Sequence, residues 1–380
     1  MTDNRDHVAL VHDYLTQFGG AEQVLAVLQA MYPNARTLTT LHNQSIDLPG
    51  LDLNAVSESA IAHIPGLRDH HRYGLPLYPL AMAELGRKIG DADVVIADSS
   101  AWAHQIRVPD AVSVVAYCHS PARFLYGDSD YLAATGVDGW KHRSWSSLTG
   151  VLRKLDKQAW KRADVILANS RLVQQRLLKQ IGVPSRVVYP PIETVRFRPT
   201  TAPEITESFL IVSRLVPHKR IDLAIETCND LALPLRIIGA GRDADRLKAM
   251  AGPTIEFTGF VSAEEKITAM QSCRALLVPG VEDFGMTAVE VQAAGRPVVT
   301  IDRGGTAETV VPGSTGVLFH EETIAGLGRA LSEVAATEWS SEACILNSQR
   351  FDRTIFESAI RQAVSDARGR RKTRLRIARI

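Results

Sequence analysis

Long apolar runs are missing from this chain; the longest are of strand length, which predicts no transmembrane helix, since a span needs about 20 apolar residues. Aromatic residues are sparse, at 6%. The four cysteines, Cys118, Cys228, Cys273 and Cys344, are scattered, with no CxxC and no histidine at metal-ligand spacing. That excludes a disulfide framework or a zinc module and predicts buried, reduced thiols in a cytoplasmic protein. The opening Met1-Thr2-Asp3-Asn4-Arg5-Asp6 has no apolar stretch, so no signal peptide is expected. Neither charge sign is in excess, with 43 basic against 42 acidic residues, so nucleic acid is not an expected partner. Gly239-Ala240-Gly241-Arg242 follows an apolar run, but Ala244 stands where GxGxxG needs its last glycine, so a nicotinamide site is poorly supported.

What the chain does have is 380 residues, more than one core usually supports, and a repeated alternation of short apolar runs with helix-period stretches. Runs at 7–12, 37–41, 94–97, 112–117, 165–168 and 187–189 make one series. A second begins at 209–212 and continues at 235–238, 255–258, 275–278, 298–301 and 317–319. This pattern predicts an α/β protein with two doubly wound, Rossmann-like domains. The expected division is a first domain over 1–190, a Pro-stiffened link over 191–199 and a second domain over 200–352. A helix over 353–367 that returns to the first domain follows, then a basic tail over 368–380. The tail carries seven basic residues and no acid, so the net charge of +1 leaves the body at −6. An anionic membrane surface is one expectation for such a tail and a solvated end is the other.

Ligands of doubly wound sheets bind where strands turn into helices. Four such turns carry chemistry. Gly19-Gly20 opens a helix after the first strand and suits a phosphate cradle or a plain helix-opening turn. His119 ends a buried strand inside Tyr117-Cys118-His119-Ser120-Pro121-Ala122-Arg123-Phe124. Arg214 and Lys219, in Ser213-Arg214-Leu215-Val216-Pro217-His218-Lys219-Arg220, pair a fork-shaped cation with a point charge, as a diphosphate requires. The fourth turn runs from Pro279 to Pro297 and carries Glu282 and Glu290 with seven residues between them, around Phe284, Gly285, Met286 and Thr287. Two carboxylates on one crevice suit a hydroxyl-rich ligand, because each accepts two O–H bonds. A helix-start carboxylate that only complements the dipole is the plainer alternative.

The acidic stretch, with its Glu-x7-Glu spacing and internal Phe-Gly, resembles the signature of the family 4 retaining glycosyltransferases of the GT-B fold. The likeness covers nearly the whole chain and is strongest from Ser213 to Gly316. It implies a nucleotide-sugar donor, with Glu282 on the sugar hydroxyls, Glu290 on the ribose, and Arg214 and Lys219 on the diphosphate. It also implies His119 beside the sugar, Gly19 and Gly20 against the donor phosphates or acceptor, and the backbone of Gly259-Phe260-Val261 against the base. Arg123, and the aromatic, Pro-rich segment around Arg72 and Tyr73, are acceptor candidates; an ordinary packed loop is the alternative for that segment. The segments are most similar to bacterial GDP-mannose-dependent mannosyltransferases of polysaccharide assembly, with a lipid-linked or glycan acceptor. UDP-glucose is the runner-up donor, and a catalytically silent nucleotide-sugar-binding subunit is the rival of another class. No obligate metal or other cofactor is expected. Asp128-Ser129-Asp130 has the DxD form of metal-dependent transferases, but no suitable strand precedes it. Peripheral attachment to the inner membrane face through 368–380 completes the expectations.

Overall fold

A computed structural model describes residues 7–68, 70, 74–127 and 141–377, with side chains from residue 149 of the helix that begins at 141 and as far as residue 373 of the last helix. The chain forms two compact units. One comprises the residues up to Tyr189 together with those from Glu357 onward; the other is Pro190–Phe356.

The first unit holds β1 (Val8–His12), β2 (Arg36–Thr39), β3 (Val56–Glu58), β4 (Val94–Ser99), β5 (Ser113–Cys118), β6 (Val165–Ala168) and β7 (Arg186–Val187). They form one parallel sheet in the order β3-β2-β1-β4-β5-β6-β7. Every residue of β1, β4 and β5 is buried, as expected of central strands covered on both faces, and so their sequences are apolar without alternation. The helix Gly20–Met31 follows β1 and buries Val24, Leu25 and Leu28. Strand β3 has only three residues, none fully buried, and its sequence gives no apolar run to detect. The segment Leu75-Pro76-Leu77-Tyr78-Pro79 runs into the helix Tyr78–Leu85, where Pro79 occupies the first turn and lacks only an N–H that no helix bond needs. Tyr78 is fully buried and stacks on Trp102 at 5.3 Å.

The second unit repeats the architecture with β8 (Phe209–Val212), β9 (Leu235–Ile238), β10 (Ile255–Gly259), β11 (Leu276–Val278), β12 (Val298–Ile301) and β13 (Gly316–Phe319). All six run parallel, in the order β10-β9-β8-β11-β12-β13. Its core sets Phe209, Ile211, Leu277, Val299 and Ile301 against Leu327, Leu331 and Val334, which lie on one face of the helix Ile324–Ala336. Residues 191–199, read from the sequence as a link, pack into this unit. Ile192 accepts from Arg353 N–H and donates to Phe351 C=O, and Phe197 is 5% exposed.

The last helix, Arg353–Ile377, continues ten residues beyond the 353–367 expected for it. Phe356, Ile360, Ala363, Val364 and Ala367 are buried along one face, so helix periodicity carries the chain on past Arg368. Arg368 donates twice to Asp93, at 2.8 and 3.1 Å. Arg370 donates to Asp164 C=O at 2.8 Å, and Arg371 to Asp110 C=O at 2.6 Å. Three of the seven charges assigned to a basic tail are thus engaged within the first unit. The side chains of Arg374, Arg376 and Arg379 lie outside the described residues. Among the described residues no helix is long and apolar enough to cross a membrane.

Candidate active site

Both sheets reverse strand order beside their first strands, between β1 and β4 and between β8 and β11. The carboxyl ends of these strands are where crevices open in such sheets.

In the second unit, β8 leads into the loop that carries Arg214 and Lys219, and β11 into the loop that carries Glu282. Lys219 Nζ stands 2.6 Å from Glu282 Oε1, with the two side chains 17% and 20% exposed. A narrow crevice here is lined by Ser213, Lys219, Glu282, Gly285 and Thr287, among others. Two glycines allow this closeness. A Cβ on Gly280 would lie 2.5 Å from His218 C=O, so the backbones of the two loops can come this close only with glycine at that position. Gly285 caps the helix Met286–Ala293 at φ +86°, a left-handed conformation that other residues adopt at a cost, and a Cβ there would also lie 2.3 Å from Thr306 Oγ1. The Gly305 N–H donates to Glu282 C=O at 2.8 Å and fixes the loop from the other side. Arg214 is exposed on its loop.

Glu290, one turn into the helix, is 6% exposed and accepts from Lys266 Nζ at 2.9 Å. Lys266 also lies over the Phe197 ring at 5.5 Å. Nothing in the sequence marks Lys266, because it arrives on a separate helix, Ala263–Ser272. Of the other candidates, Phe284 is 3% exposed and packs on Phe351 at 5.7 Å. Its side chain belongs to the core. Phe260 is 87% exposed beside Gly259 and Val261 at the end of β10, and Gly259 C=O accepts from Gly239 N–H.

In the first unit, β1 and β4 pair so that His12 lies opposite Asp98. Asp98 Oδ2 stands 2.8 Å from His12 Nδ1, and Asp98 Oδ1 stands 2.6 Å from His119 Nε2. Asn169 Nδ2 donates to His119 C=O at 2.9 Å. His12 Nε2 stands 3.8 Å from Glu22 Oε1. Burial opposes charge on His12, but the Asp98 hydrogen bond and the negative charges of Asp98 and Glu22 outweigh it and raise its pKa to about 10. Burial works against the Asp98 carboxylate too, yet its two histidines hold its pKa below the ordinary value. The Gly19 N–H, expected to face an anion, is instead taken by Glu22 Oε2 at 2.8 Å. Gly20 is exposed at the start of the helix. Asp13 accepts from the N–H groups of Ser100, Trp102 and Ala103 at 2.6–2.7 Å and holds the turn after β4. His12, Asp13, Glu22 and Asp98 were not among the sequence candidates. The signal that marks His119, a polar residue ending an apolar run, applies equally to His12 and Asp98.

Ser99 Oγ, His104 and Asp156 form a further chain, with both contacts at 2.8 Å. The order matches a hydrolase triad, but all three are at most 3% exposed, and Tyr126 OH donates to the second Asp156 oxygen at 2.9 Å. No substrate reaches this serine, and the chain acts as internal bracing. Arg123 is half-buried in the single turn Arg123–Tyr126. Arg72, Tyr73 and Asp128-Ser129-Asp130 lie outside the described residues. Among the described residues no cluster of three or more His, Cys, Asp or Glu could hold a metal ion.

This arrangement can be set against known proteins. Residues 19–196 match the family model described as Glycosyltransferase Family 4, and residues 194–351 match Glycosyl transferases group 1. The chain belongs to the family 4 glycosyltransferases of the GT-B fold. An uncharacterized glycosyltransferase of Methanocaldococcus jannaschii is 31% identical over 134 residues, which are 34% of this chain and 38% of that one. A GDP-mannose-dependent alpha-(1-6)-phosphatidylinositol monomannoside mannosyltransferase of Mycobacterium tuberculosis is 26% identical over 247 residues, 57% of this chain and 63% of that one. The alignments therefore span less than two thirds of these relatives' lengths. Among solved structures, Anabaena HepE in complex with UDP and glucose superposes with a TM-score of 0.70 at 18% identity, covering 94% of this chain and 99% of that one. At that identity the likeness concerns the fold.

Proposed function

We propose that this family member is a retaining hexosyltransferase that moves mannose from GDP-mannose to a lipid-linked or glycan acceptor in polysaccharide assembly. The observation that carries the transferase reading is the Lys219–Glu282 pair at the carboxyl ends of β8 and β11. A part-exposed ion pair is weak and exchanges readily for a ligand. In the proposed complex Lys219 turns to the donor diphosphate with Arg214, and Glu282 is released to accept from the sugar hydroxyls. Glu290 accepts from the ribose. Gly259, Phe260 and Val261 meet the base through their backbone, and Phe284, Gly285, Met286 and Thr287 line the donor. His119 is assigned to the sugar, and Gly19 and Gly20 to the donor phosphates or the acceptor. Arg123 is assigned to the acceptor, as are Arg72 and Tyr73.

The bond from the anomeric carbon to the diphosphate oxygen breaks, and the acceptor oxygen bonds to the same face of that carbon. The acceptor proton passes to the departing phosphate, and Arg214 and Lys219 stabilise the charge that develops there. Mannose as the sugar is supported by the likeness to the mycobacterial mannosyltransferase. A panel of GDP- and UDP-sugars, with release of nucleoside diphosphate as the readout, tests the reading. Turnover of GDP-mannose above all others is expected. Preference for UDP-glucose, the donor suggested by the fold's likeness to the UDP and glucose complex, would replace GDP-mannose. No turnover with any donor, alongside tight binding of one, would make the chain a binding subunit.

A further inference from the structure

His12 ends β1 and is 2% exposed. Both its ring nitrogens face carboxylates: Nδ1 lies 2.8 Å from Asp98 and Nε2 lies 3.8 Å from Glu22. A neutral imidazole has one donor and one lone pair. Here that lone pair would point at a buried carboxylate oxygen, so both nitrogens carry protons. Each carboxylate also reaches onward. The second oxygen of Asp98 holds His119 Nε2 at 2.6 Å, and the second oxygen of Glu22 holds the Gly19 N–H at 2.8 Å.

We propose that His12 is a positioning residue of the transfer reaction: a buried imidazolium clamped between Asp98 and Glu22 that sets, through them, the His119 ring and the Gly19-Gly20 turn. The proposal rests on the placement of His119 and Gly19 in the transfer site. With Asp98 ionised, His119 carries its proton on Nε2. Its Nδ1, which has no hydrogen-bond partner among the described residues, is then the atom available to a ligand.

The groups that face this cluster come from four elements. Asp98 comes from β4, Glu22 from the helix Gly20–Met31, and His119 from the end of β5. Asp13 follows His12, with its oxygens on the N–H groups of Ser100, Trp102 and Ala103. The Tyr117 ring meets His119 edge-on at 5.1 Å, and its OH donates to Val188 C=O. His12 and His119 share one carboxylate, so removing the His12 charge leaves Asp98 to His119 alone. Removing the Glu22 charge perturbs the same site with the opposite electrostatic sign. Loss of packing alone gives no such opposition of sign.

The test uses the full chain with 15N-labelled histidine. In ligand-free wild type at pH 8, His12 is expected to show two protonated nitrogens, where an ordinary histidine is neutral. In His12→Gln the pH profile of nucleoside diphosphate release from GDP-mannose or UDP-glucose, whichever turns over, should move up by roughly one pH unit, and in Glu22→Gln down by a similar amount. His12→Gln should lower kcat about tenfold, with donor KM within about threefold. A neutral His12 in the wild type overturns the proposal without recourse to any variant, as do shifts of the same sign in the two variants. Unchanged turnover in His119→Asn, in a protein whose wild-type His12 is charged, overturns instead the placement of His119 in the transfer site.

Discussion

The two units carry charged groups at the same topological place, the carboxyl ends of strands beside a switch point, and treat them in opposite ways. In the first unit His12, Asp98 and Glu22 are at most 3% exposed. In the second, Lys219 and Glu282 are 17% and 20% exposed, and Lys266 is 28% exposed over a buried Glu290. Burial decides what a pair can do. A sealed pair is costly to break and fixes geometry, whereas a part-exposed pair is cheap to break and free to exchange partners. One fold, used twice, thus carries a sealed cluster in one unit and a part-exposed pair in the other.

The strongest way to break this comparison is Asp98→Ala. It leaves a buried cation without its partner and should cost about 3–5 kcal/mol of stability, read as a lower denaturation midpoint in urea. A loss below about 1 kcal/mol would put the Asp98 cluster in the same class as exposed pairs. Next in expected size is the pH dependence. The pKa of His12 is raised from 6.5 to about 10, so its contribution is fully present below pH 6.5 and is lost as pH rises through about 10. Asp98 has the opposite sign: its pKa is lowered, so its contribution is present above the ordinary carboxylate range and is lost as pH falls below it. Unfolding free energies measured from pH 6 to 10.5 should decline between about pH 6.5 and 10 and then level off, and His12→Gln should flatten that decline. An identical alkaline slope in the variant would show that other groups titrate there.

The second unit predicts binding effects in place of stability effects. Glu290→Ala removes a charge-assisted hydrogen bond and should weaken donor binding by about 1.5–3 kcal/mol in calorimetry. Unchanged affinity would remove Glu290 from the ribose. Smallest on stability is Lys219→Ala, expected to move the unfolding free energy by less than about 1 kcal/mol. The same variant should lower kcat by more than it raises donor KM. If it instead unfolded the protein, the Lys219–Glu282 pair would be structural and the contrast between the units would disappear.

Much of the architecture was legible in the sequence, for a reason visible in particular strands. The buried parallel strands β1, β4, β5 and β8 must be apolar on both faces, so Val8–His12 or Phe209–Val212 announces itself as a continuous run. The Glu282–Glu290 spacing was legible because both acids sit on one loop and the helix it opens. Elements without such a run were not legible. The edge strand Val56–Glu58 is short and half-exposed, and the helix Tyr78–Leu85 begins in a segment whose prolines read as loop.

Sequence by itself determined what is local: that the continuous apolar runs are strands, which turns follow them, and which family the acidic motif resembles. Tertiary structure alone decided what depends on distance through space. Asp98 meets His12 because β1 and β4 are hydrogen-bonded neighbours 86 residues apart in sequence, and Lys266 meets Glu290 because two helices converge. It likewise decided that Arg368, Arg370 and Arg371 end on Asp93, Asp164 and Asp110, where a count of charges had left them facing outward. Charge and periodicity are properties of a segment, whereas the partner a charge finds depends on packing, which places groups from distant segments within 3 Å of one another.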